Sequence, residues 1–148
     1  MGLSVNRVEL IGNLGRDPEM RTTQTGKTIA TFSIATSESW KDRRSGEWVE
    51  KTEWHRVIIF NESLARIALT QLSQGMKVRI EGKLRTRRWQ DQSGADRYST
   101  EVHLETYGGD LRFDTKKPGE RAGDGGATRD PSPQAPGGGL PDDDEPPY

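Results

Sequence analysis

Cysteine is absent from the 148 residues of the chain, and histidine occurs only at His55 and His103. Without cysteine there can be no disulfide, thiolate metal site or cysteine nucleophile. Two isolated histidines, with no third type of ligand beside them in the sequence, do not predict a metal site. The sequence also lacks a signal peptide and any apolar run near the ~20 residues that a membrane span needs. We therefore expect a soluble cytoplasmic protein with no metal and no cofactor.

Large apolar residues are scarce over the last quarter of the sequence. Hydrophobic residues make up 30% of the chain, which is low for a protein that folds throughout. Residues 114–148 contain 7 Gly and 7 Pro, and Leu140 and Tyr148 are their only large apolar side chains. Such a segment buries too little surface to offset the entropy lost on ordering. We predict a folded domain over residues 1–113, a disordered linker over 114–141 and an acidic tip over 142–148.

The net charge of −1 conceals an uneven distribution. Residues 1–113 contain 18 Lys and Arg against 15 Asp and Glu, a net charge of +3. Residues 114–148 contain 4 against 8, a net charge of −4. The sequence thus predicts a basic domain joined to an acidic tail.

Alternation of apolar and polar residues with a period of two predicts five strands. The first covers residues 5–12 and is broken by GNLG, which we interpret as a tight turn. The second and third, from residue 28 to residue 60, form a long hairpin whose charged tip is KDRRSGEW. The fourth covers residues 77–89, and the fifth begins near residue 98, after the turn DQSGADR.

The stretch NESLARIALTQLSQG has a helical period instead. Its apolar stripe consists of Leu64, Ile67, Ala68 and Leu72. Asn61 is a predicted N-cap, and Gly75 is a predicted stop just after the helix. The resulting order, β-β-β-α-β-β, predicts an all-β protein with one helix, a five-stranded barrel of the OB-fold type. A split sheet of the ferredoxin type would need a second helix, which the pattern does not supply.

The stretch TEWHRVIIF raises the question of which strand face is the core. Val57 and Ile59 alternate with Trp54, Arg56, Ile58 and Phe60. If the two aliphatic residues point into the barrel, the aromatics and the arginine stand outside, and Trp40 reaches the same side from the preceding strand. Ile58 shares that outer face, where we expect it to line a groove or to pack on a neighbouring subunit.

The fourth predicted strand repeats this design. The face opposite its aliphatic residues carries a row of cations, Lys83, Arg85 and Arg87, and this row ends in Trp89. Exposed aromatic planes offer stacking surfaces for unpaired bases, and the cations suit phosphates. The pattern therefore predicts binding of single-stranded nucleic acid without sequence preference. The competing interpretation is that the tryptophans are core or subunit-interface residues and the arginines a solvated face.

Other candidate sites carry weaker signals. GNLG has the spacing of a KH-type RNA clamp, but strands flank it where helices would be required. Glu53 and His55 share a strand face and resemble an acid–base pair, yet no nucleophile or phosphate-binding loop accompanies them. We do not expect an enzyme. Trp48 lies near the hairpin turn, and we interpret it as a loop aromatic without an assigned role.

Five segments together resemble the bacterial single-stranded DNA-binding protein family, SSB. They are VNRVELIGNLGRDPEMR, IATSESW, KTEWHRVIIF, VRIEGKLRTRRWQDQSG and DRYSTEV, in that order. The resemblance covers about residues 4–102. It implies an OB-fold subunit, a homotetramer, and the coating of single-stranded DNA during replication, recombination and repair, at the nucleoid.

The resemblance also implies roles for individual residues. The stacking residues would be Trp40, Trp54, Phe60 and Trp89. The phosphate contacts would be Arg56, Arg85, Arg87 and Arg88. His55 would lie near a subunit interface. Arg88 falls on the inward side of the alternation, so we expect regular alternation to end near it.

Two features depart from the family pattern. Lysines that the family often carries near the helix are replaced by the stretch Asn61-Glu62-Ser63 and by Gln74, which removes cations from part of the DNA path. The usual Ile-Pro-Phe after the acidic run is replaced by Pro-Pro-Tyr. The tip predicted to recruit partner enzymes consists of Asp142, Asp143, Asp144, Glu145, Pro146, Pro147 and Tyr148.

Two other functions remain open from the sequence. A smaller paralogue could act as a primosome or RNA-binding accessory, although such proteins tend to lack an acidic tail. An interaction scaffold could instead use the same aromatics to bind protein.

Overall fold

The computed structural model describes residues 2–114, so the predicted linker beyond Asp114 and the predicted tip at 142–148 lie outside the described residues. The elements are β1 Val8–Leu14, β2 Glu19–Thr22, β3 Thr28–Lys41, β4 Trp48–Ile59, α1 Glu62–Gln71, β5 Lys77–Gln90, β6 Asp96–Leu104 and β7 Asp110–Phe113.

Five of these strands close into a barrel. β1 pairs antiparallel with both β3 and β5, β3 pairs antiparallel with β4, and β5 pairs antiparallel with β6. The ring is completed by a parallel pairing of β4 with β6. This is the predicted OB-fold arrangement with α1 between the third and fourth barrel strands, and the prediction is confirmed. The short strands β2 and β7, which pair with β3 and β5, were not predicted.

The core lies inside this ring. It consists of Leu14, Ala30, Phe32, Ile34, Val57, Ile59, Ala65, Ala68, Leu72, Met76, Val78, Ile80, Val102, Leu104 and Leu111. The contributing residues of β3 to β6 alternate along each strand, as Ala30, Phe32 and Ile34 do in β3, which is expected for a strand with one buried face. Val57 and Ile59 are fully buried members, which confirms the predicted inward face of β4.

The glycines of GNLG do not form the predicted tight turn. Gly12 lies inside β1, which continues to Leu14. A Cβ at Gly12 would lie 2.2 Å from the carbonyl oxygen of Ala35, so only glycine permits this close approach of β1 to β3. The chain turns only after Gly15.

Helix α1 begins as predicted and ends earlier than predicted. The Asn61 side chain accepts a hydrogen bond from the Leu64 backbone N–H at 3.1 Å, which confirms the N-cap. The helix ends at Gln71 with Leu72 as its C-cap, so Gly75 is not its stop. Gly75 has a φ of +85° and serves the turn into β5 instead. Of the predicted stripe, Ala68 and Leu72 are buried, whereas Ile67 is 40% exposed. Ala65, which was not predicted to face the core, is buried as well.

The described residues contain no helix of the length and apolarity that a membrane crossing requires.

Candidate nucleic-acid interface

The outward faces of β4, β5 and β6 meet on one side of the barrel. We call this surface the aromatic–basic face. It consists of Trp54, Arg56, Ile58 and Phe60 from β4 and its end, Lys83, Arg85, Arg87 and Trp89 from β5, and Arg97, Ser99, Glu101 and His103 from β6. The alternation that buries Val57, Ile59 and Val102 in the core turns these side chains outward.

Glu101 lies at the centre of the aromatic–basic face and is only 1% exposed. Its carboxylate oxygens lie 3.2 Å from Nη2 of Arg87, 2.8 Å from Nε2 of His103 and 3.9 Å from Nε of Arg56. Burial raises the pKa of Glu101, but the hydrogen bonds from His103 and Arg87 outweigh this and leave the pKa below its usual value. Because Arg56 is on β4 and Arg87 on β5, one buried carboxylate holds two guanidinium groups from different strands side by side.

A second carboxylate, Glu105, holds the other cations of β5. It accepts hydrogen bonds from Nζ of Lys83 at 3.2 Å and from Nε of Arg85 at 2.9 Å. The hydrogen bond from Arg85, with a further one from Lys83, lowers the pKa of Glu105. Both cations therefore lie on the predicted outward face of β5, and both contact the same carboxylate of their own subunit.

Trp54 is seated against the backbone of Gly15. A Cβ at Gly15 would lie 2.4 Å from Cζ3 of the Trp54 ring, so the ring lies directly over this glycine. The residue remains 56% exposed, which leaves ring surface open to solvent. The backbone of Gly15 is fixed in turn by a 3.1 Å hydrogen bond from its N–H to the carbonyl of Ser33.

Trp89 and Phe60 are also held by neighbours on β6. The indole Nε1 of Trp89 donates a 2.8 Å hydrogen bond to Oγ of Ser99. The ring of Phe60 lies 4.9 Å from that of His103, at an interplanar angle of 55°. Both aromatics are half-buried, so their orientation is set by the subunit itself.

Ile58 points outward by alternation and is nevertheless fully buried. Its cross-strand neighbours are Thr31 on β3 and His103 on β6. Neither expected role, lining an open groove or packing on a neighbouring subunit, is correct, because the side chain is 0% exposed on the subunit itself.

The predicted position of Trp40 beside Trp54 is wrong. β3 and β4 pair residue by residue from Ala30 opposite Ile59 to Lys41 opposite Trp48, with no bulge. Trp40 therefore keeps the parity of Phe32 and Ile34, and it projects from the other face of the hairpin. It is 45% exposed there, beyond the end of the barrel core.

Arg88 likewise lies on the opposite face from Arg85 and Arg87. The pairing of β5 with β6 is regular from Lys83 to Gln90, so the expected end of alternation at Arg88 is wrong. Arg88 forms a 2.5 Å ion pair with Asp96, and its side chain is 62% exposed.

Sequence reasoning missed two of these residues. Trp48 is not a loop aromatic: it is the first residue of β4, paired with Lys41. Glu101 was not predicted to belong to the site, because an acid among the cations of a strand is typical of a solvated face. The signal that could have found it is its place between Ser99 and His103 on the outward face of the last barrel strand.

His55 lies at the rim of the barrel. Its Nε2 is 2.8 Å from Oγ1 of Thr36, in a part-buried hydrogen bond. It has the parity of Val57, away from the aromatic–basic face, as predicted. Its role at a subunit interface stays a prediction. Among residues 2–114 no cluster of His, Asp and Glu suits a metal ion.

Comparison with known proteins identifies relatives of this chain. Residues 5–110 match the model of the "Single-strand binding protein family". The chain is 54% identical over 125 residues to the "Single-stranded DNA-binding protein" of Rhizobium meliloti (strain 1021), covering 84% of this chain and 72% of that protein. It is 46% identical over 136 residues to the "Single-stranded DNA-binding protein" of Rickettsia felis, covering 91% of this chain and 90% of that protein.

A solved structure is similar as well. It is described as "Plasmodium falciparum SSB complex with ssDNA" and superposes with a TM-score of 0.69 at 34% identity. The match covers 76% of this chain and 97% of the other.

Proposed function

This chain belongs to the single-strand binding protein family, and on that premise we propose that it binds single-stranded DNA without sequence preference. The family is one of binding proteins, so the chain is not an enzyme. The observation that carries the proposal is the aromatic–basic face, where Trp54, Phe60 and Trp89 stand in one surface with Arg56 and Arg87.

The chemistry of this surface suits unpaired DNA. Each exposed ring offers a stacking plane to a base, whatever its identity, at about 1–3 kcal/mol per stacked base. The guanidinium groups suit phosphates, and their contacts release condensed counterions. Duplex DNA conceals its base faces, so the rings would gain little from it. Stacking thus predicts selectivity for strandedness and tolerance of sequence.

The individual roles are part of the proposal. We assign base stacking to Trp40, Trp54, Phe60 and Trp89, and phosphate contact to Arg56, Arg85, Arg87 and Arg88. Trp40 and Arg88 lie on the other faces of their hairpins. A strand that contacts them must therefore pass around the hairpin edges, which fits a wrapped path better than a straight one.

We further propose that four copies assemble, with His55 near an interface, and that the chain serves DNA replication, recombination and repair in the cytoplasm. The acidic segment 142–148 would dock on partner enzymes, with its carboxylates on basic residues and Tyr148 as an apolar anchor.

Titration of the full chain with oligo-dT tests the central claim. We expect quenching of tryptophan fluorescence, and a linear fall of the logarithm of the affinity with the logarithm of salt concentration. The slope should be about −0.7 for each phosphate contacted. A duplex of the same length is the control, and equally tight binding of that duplex would refute the proposal.

Assembly and recruitment need a separate measurement. Native mass spectrometry should give a complex of four chains, and a smaller mass would remove the tetramer. Replacing the acidic residues of the segment 142–148 by their amides should leave oligo-dT binding intact and abolish binding to a replication or repair enzyme. Partner binding that survives this change would remove the tip from the proposal.

A further inference from the structure

Trp48 is the most exposed tryptophan of the chain, at 73%, and no role has been assigned to it. It is not part of a disordered turn, because it opens β4 and pairs with Lys41 across the hairpin. The turn beyond it is closed by hydrogen bonds between the backbones of Asp42, Gly46 and Glu47. The ring is therefore held at a defined place at the end of a paired ribbon.

The strand register decides which way Trp48 faces. Alternation along β4 gives it the parity of Trp54 and Arg56, six and eight residues further along. Lys41 projects on the same face, since directly paired residues share a side of the ribbon. Trp48 therefore continues the outward surface of β4 away from the barrel, whereas Trp40 does not.

Charge also distinguishes the two faces of the ribbon. Between Trp54 and Trp48, the outward face carries Ser37, Ser39 and Thr52, with Glu50 as its one acid before Lys41 is reached. The opposite face carries Glu38 and Glu53 close to Lys51, which pairs with Glu53 at 3.4 Å. A DNA backbone that runs along the face of Trp48 therefore meets fewer repelling carboxylates than one on the opposite face.

We propose that Trp48 is a further base-stacking position for single-stranded DNA, with Lys41 beside it as a phosphate contact. Six strand residues separate it from Trp54, a distance of roughly 20 Å along the ribbon. The bound strand therefore extends from the aromatic–basic face outward along the β3–β4 hairpin. This inference rests on the proposed function, and it adds the outward face of the hairpin end, opposite Trp40, to the binding surface.

A protein whose only tryptophan is Trp48 reports directly on this position. Trp40→Phe, Trp54→Phe and Trp89→Phe together leave Trp48 as the sole indole fluorophore while retaining aromatic rings elsewhere. On addition of oligo-dT we expect its emission to be quenched and its accessibility to acrylamide to fall. Anisotropy of a labelled oligo-dT records binding independently. An anisotropy rise with unchanged Trp48 emission and accessibility would overturn the inference and leave the proposed function standing.

Single substitutions in the otherwise unchanged chain decide the case if the triple variant binds poorly. Trp48→Ala should weaken oligo-dT binding about fivefold, the lower end of the range for one stacked base. Trp48→Phe should restore most of that loss, and Lys41→Gln should reduce the salt slope by about 0.7. Tyr107→Ala is the matched control, because Tyr107 is 86% exposed in the turn between β6 and β7.

Native mass separates stacking from assembly. If Trp48→Ala lowered the number of subunits, the ring would be an interface residue and the inference would be wrong. If it changed neither assembly nor affinity, the inference would fail as well. An unmodified chain that does not bind oligo-dT at all would instead refute the proposed function.

Discussion

Trp54 illustrates how a single small residue sets the geometry of an aromatic contact. The backbone of Gly15 forms the seat on which the ring lies, and any side chain at position 15 would occupy the space of the ring. The glycine has no contact with the solvent-facing side of Trp54. Any effect of Gly15 on the proposed stacking therefore acts through the orientation of the indole.

Gly15→Ala is therefore expected to weaken oligo-dT binding without removing an aromatic group. The new methyl would lie 2.4 Å from Cζ3 of Trp54, so the ring must turn away. The loss should not exceed that of Trp54→Ala, about 1–3 kcal/mol for one stacked base. Fluorescence titration measures the affinity, and Gly2→Ala is the control because nothing lies within 4 Å of its new methyl. Unchanged affinity in Gly15→Ala would show that binding does not depend on the contact between the Trp54 ring and the backbone of residue 15.

At the scale of elements, the sequence predicts what periodicity encodes. The five barrel strands and the helix follow from alternation and from a 3.6-residue stripe, and the Asn61 cap follows from side-chain chemistry. The helix end was misjudged because Gly75 is a true turn signal that belongs to the entry into β5. β2 and β7 were missed because strands of four residues are too short to establish a period.

The sequence alone did not reveal the strand register of the site. Trp40 was assigned to the wrong face, and alternation was wrongly expected to end near Arg88, because a side chain's face depends on unbroken pairing along a hairpin. Trp54 and Arg56 were placed correctly, because each lies within three residues of Val57, a core position on the same strand. Arg85, Arg87 and Trp89 were placed correctly because β5 keeps its alternation through its regular pairing with β6. Alternation alone places Glu101 on the outward face of β6, but its contacts with Arg56 of β4 and Arg87 of β5 depend on the folded barrel.

The turn between β5 and β6 is organised by Asp91. Its Oδ1 accepts hydrogen bonds from the backbone N–H groups of Ser93 and Ala95 at 2.9 and 3.0 Å, and its Oδ2 accepts one from Arg97 at 2.9 Å. The hydrogen bonds from the Ser93 side chain and from Arg97 lower the pKa of Asp91 from 3.8 to about 2. The ionised carboxylate therefore stabilises the folded hairpin.

Asp91→Asn should remove a pH-dependent part of the stability. A lowered pKa stabilises the fold above the unfolded-state value near 4, and this contribution disappears as the pH falls toward 2. The difference in free energy of unfolding between the parent and Asp91→Asn should therefore be constant from pH 7 to about pH 5 and shrink by pH 3. Urea denaturation of both proteins at pH 7, 5 and 3 measures it. A difference that stayed constant down to pH 3 would contradict this role of the carboxylate.

At the scale of the whole molecule, the cations of the aromatic–basic face are partly balanced by carboxylates of the same subunit. Glu101 engages Arg56 and Arg87, and Glu105 engages Lys83 and Arg85. A phosphate that approaches these cations competes with carboxylates already in place. The net charge of +3 over residues 1–113 is therefore a poor guide to phosphate binding. The face contains more cations than this number suggests, but several of them already contact a carboxylate.

Glu105→Gln should accordingly increase the affinity for oligo-dT. It frees Lys83 and Arg85 from the shared carboxylate, and each that gains a phosphate adds about 0.7 to the magnitude of the salt slope. Titrations at two or more salt concentrations measure both quantities. Glu9→Gln is the control, since it removes one equal charge but leaves its partner Arg79 in contact with Asp110 at 3.4 Å. A weaker affinity in Glu105→Gln would mean that Glu105 positions the cations more than it competes for them.

The contact of Arg56, Arg87 and Glu101 has a consequence for the newly made chain. These residues come from β4, β5 and β6, and the barrel closes only when β5 has paired with β1 and β6 with β4. A nascent chain that has emerged from the ribosome only as far as β5 therefore lacks the carboxylate that brings the two arginines together. The contact is therefore completed only after β6 has been synthesised and paired with β5, late in the translation of the domain.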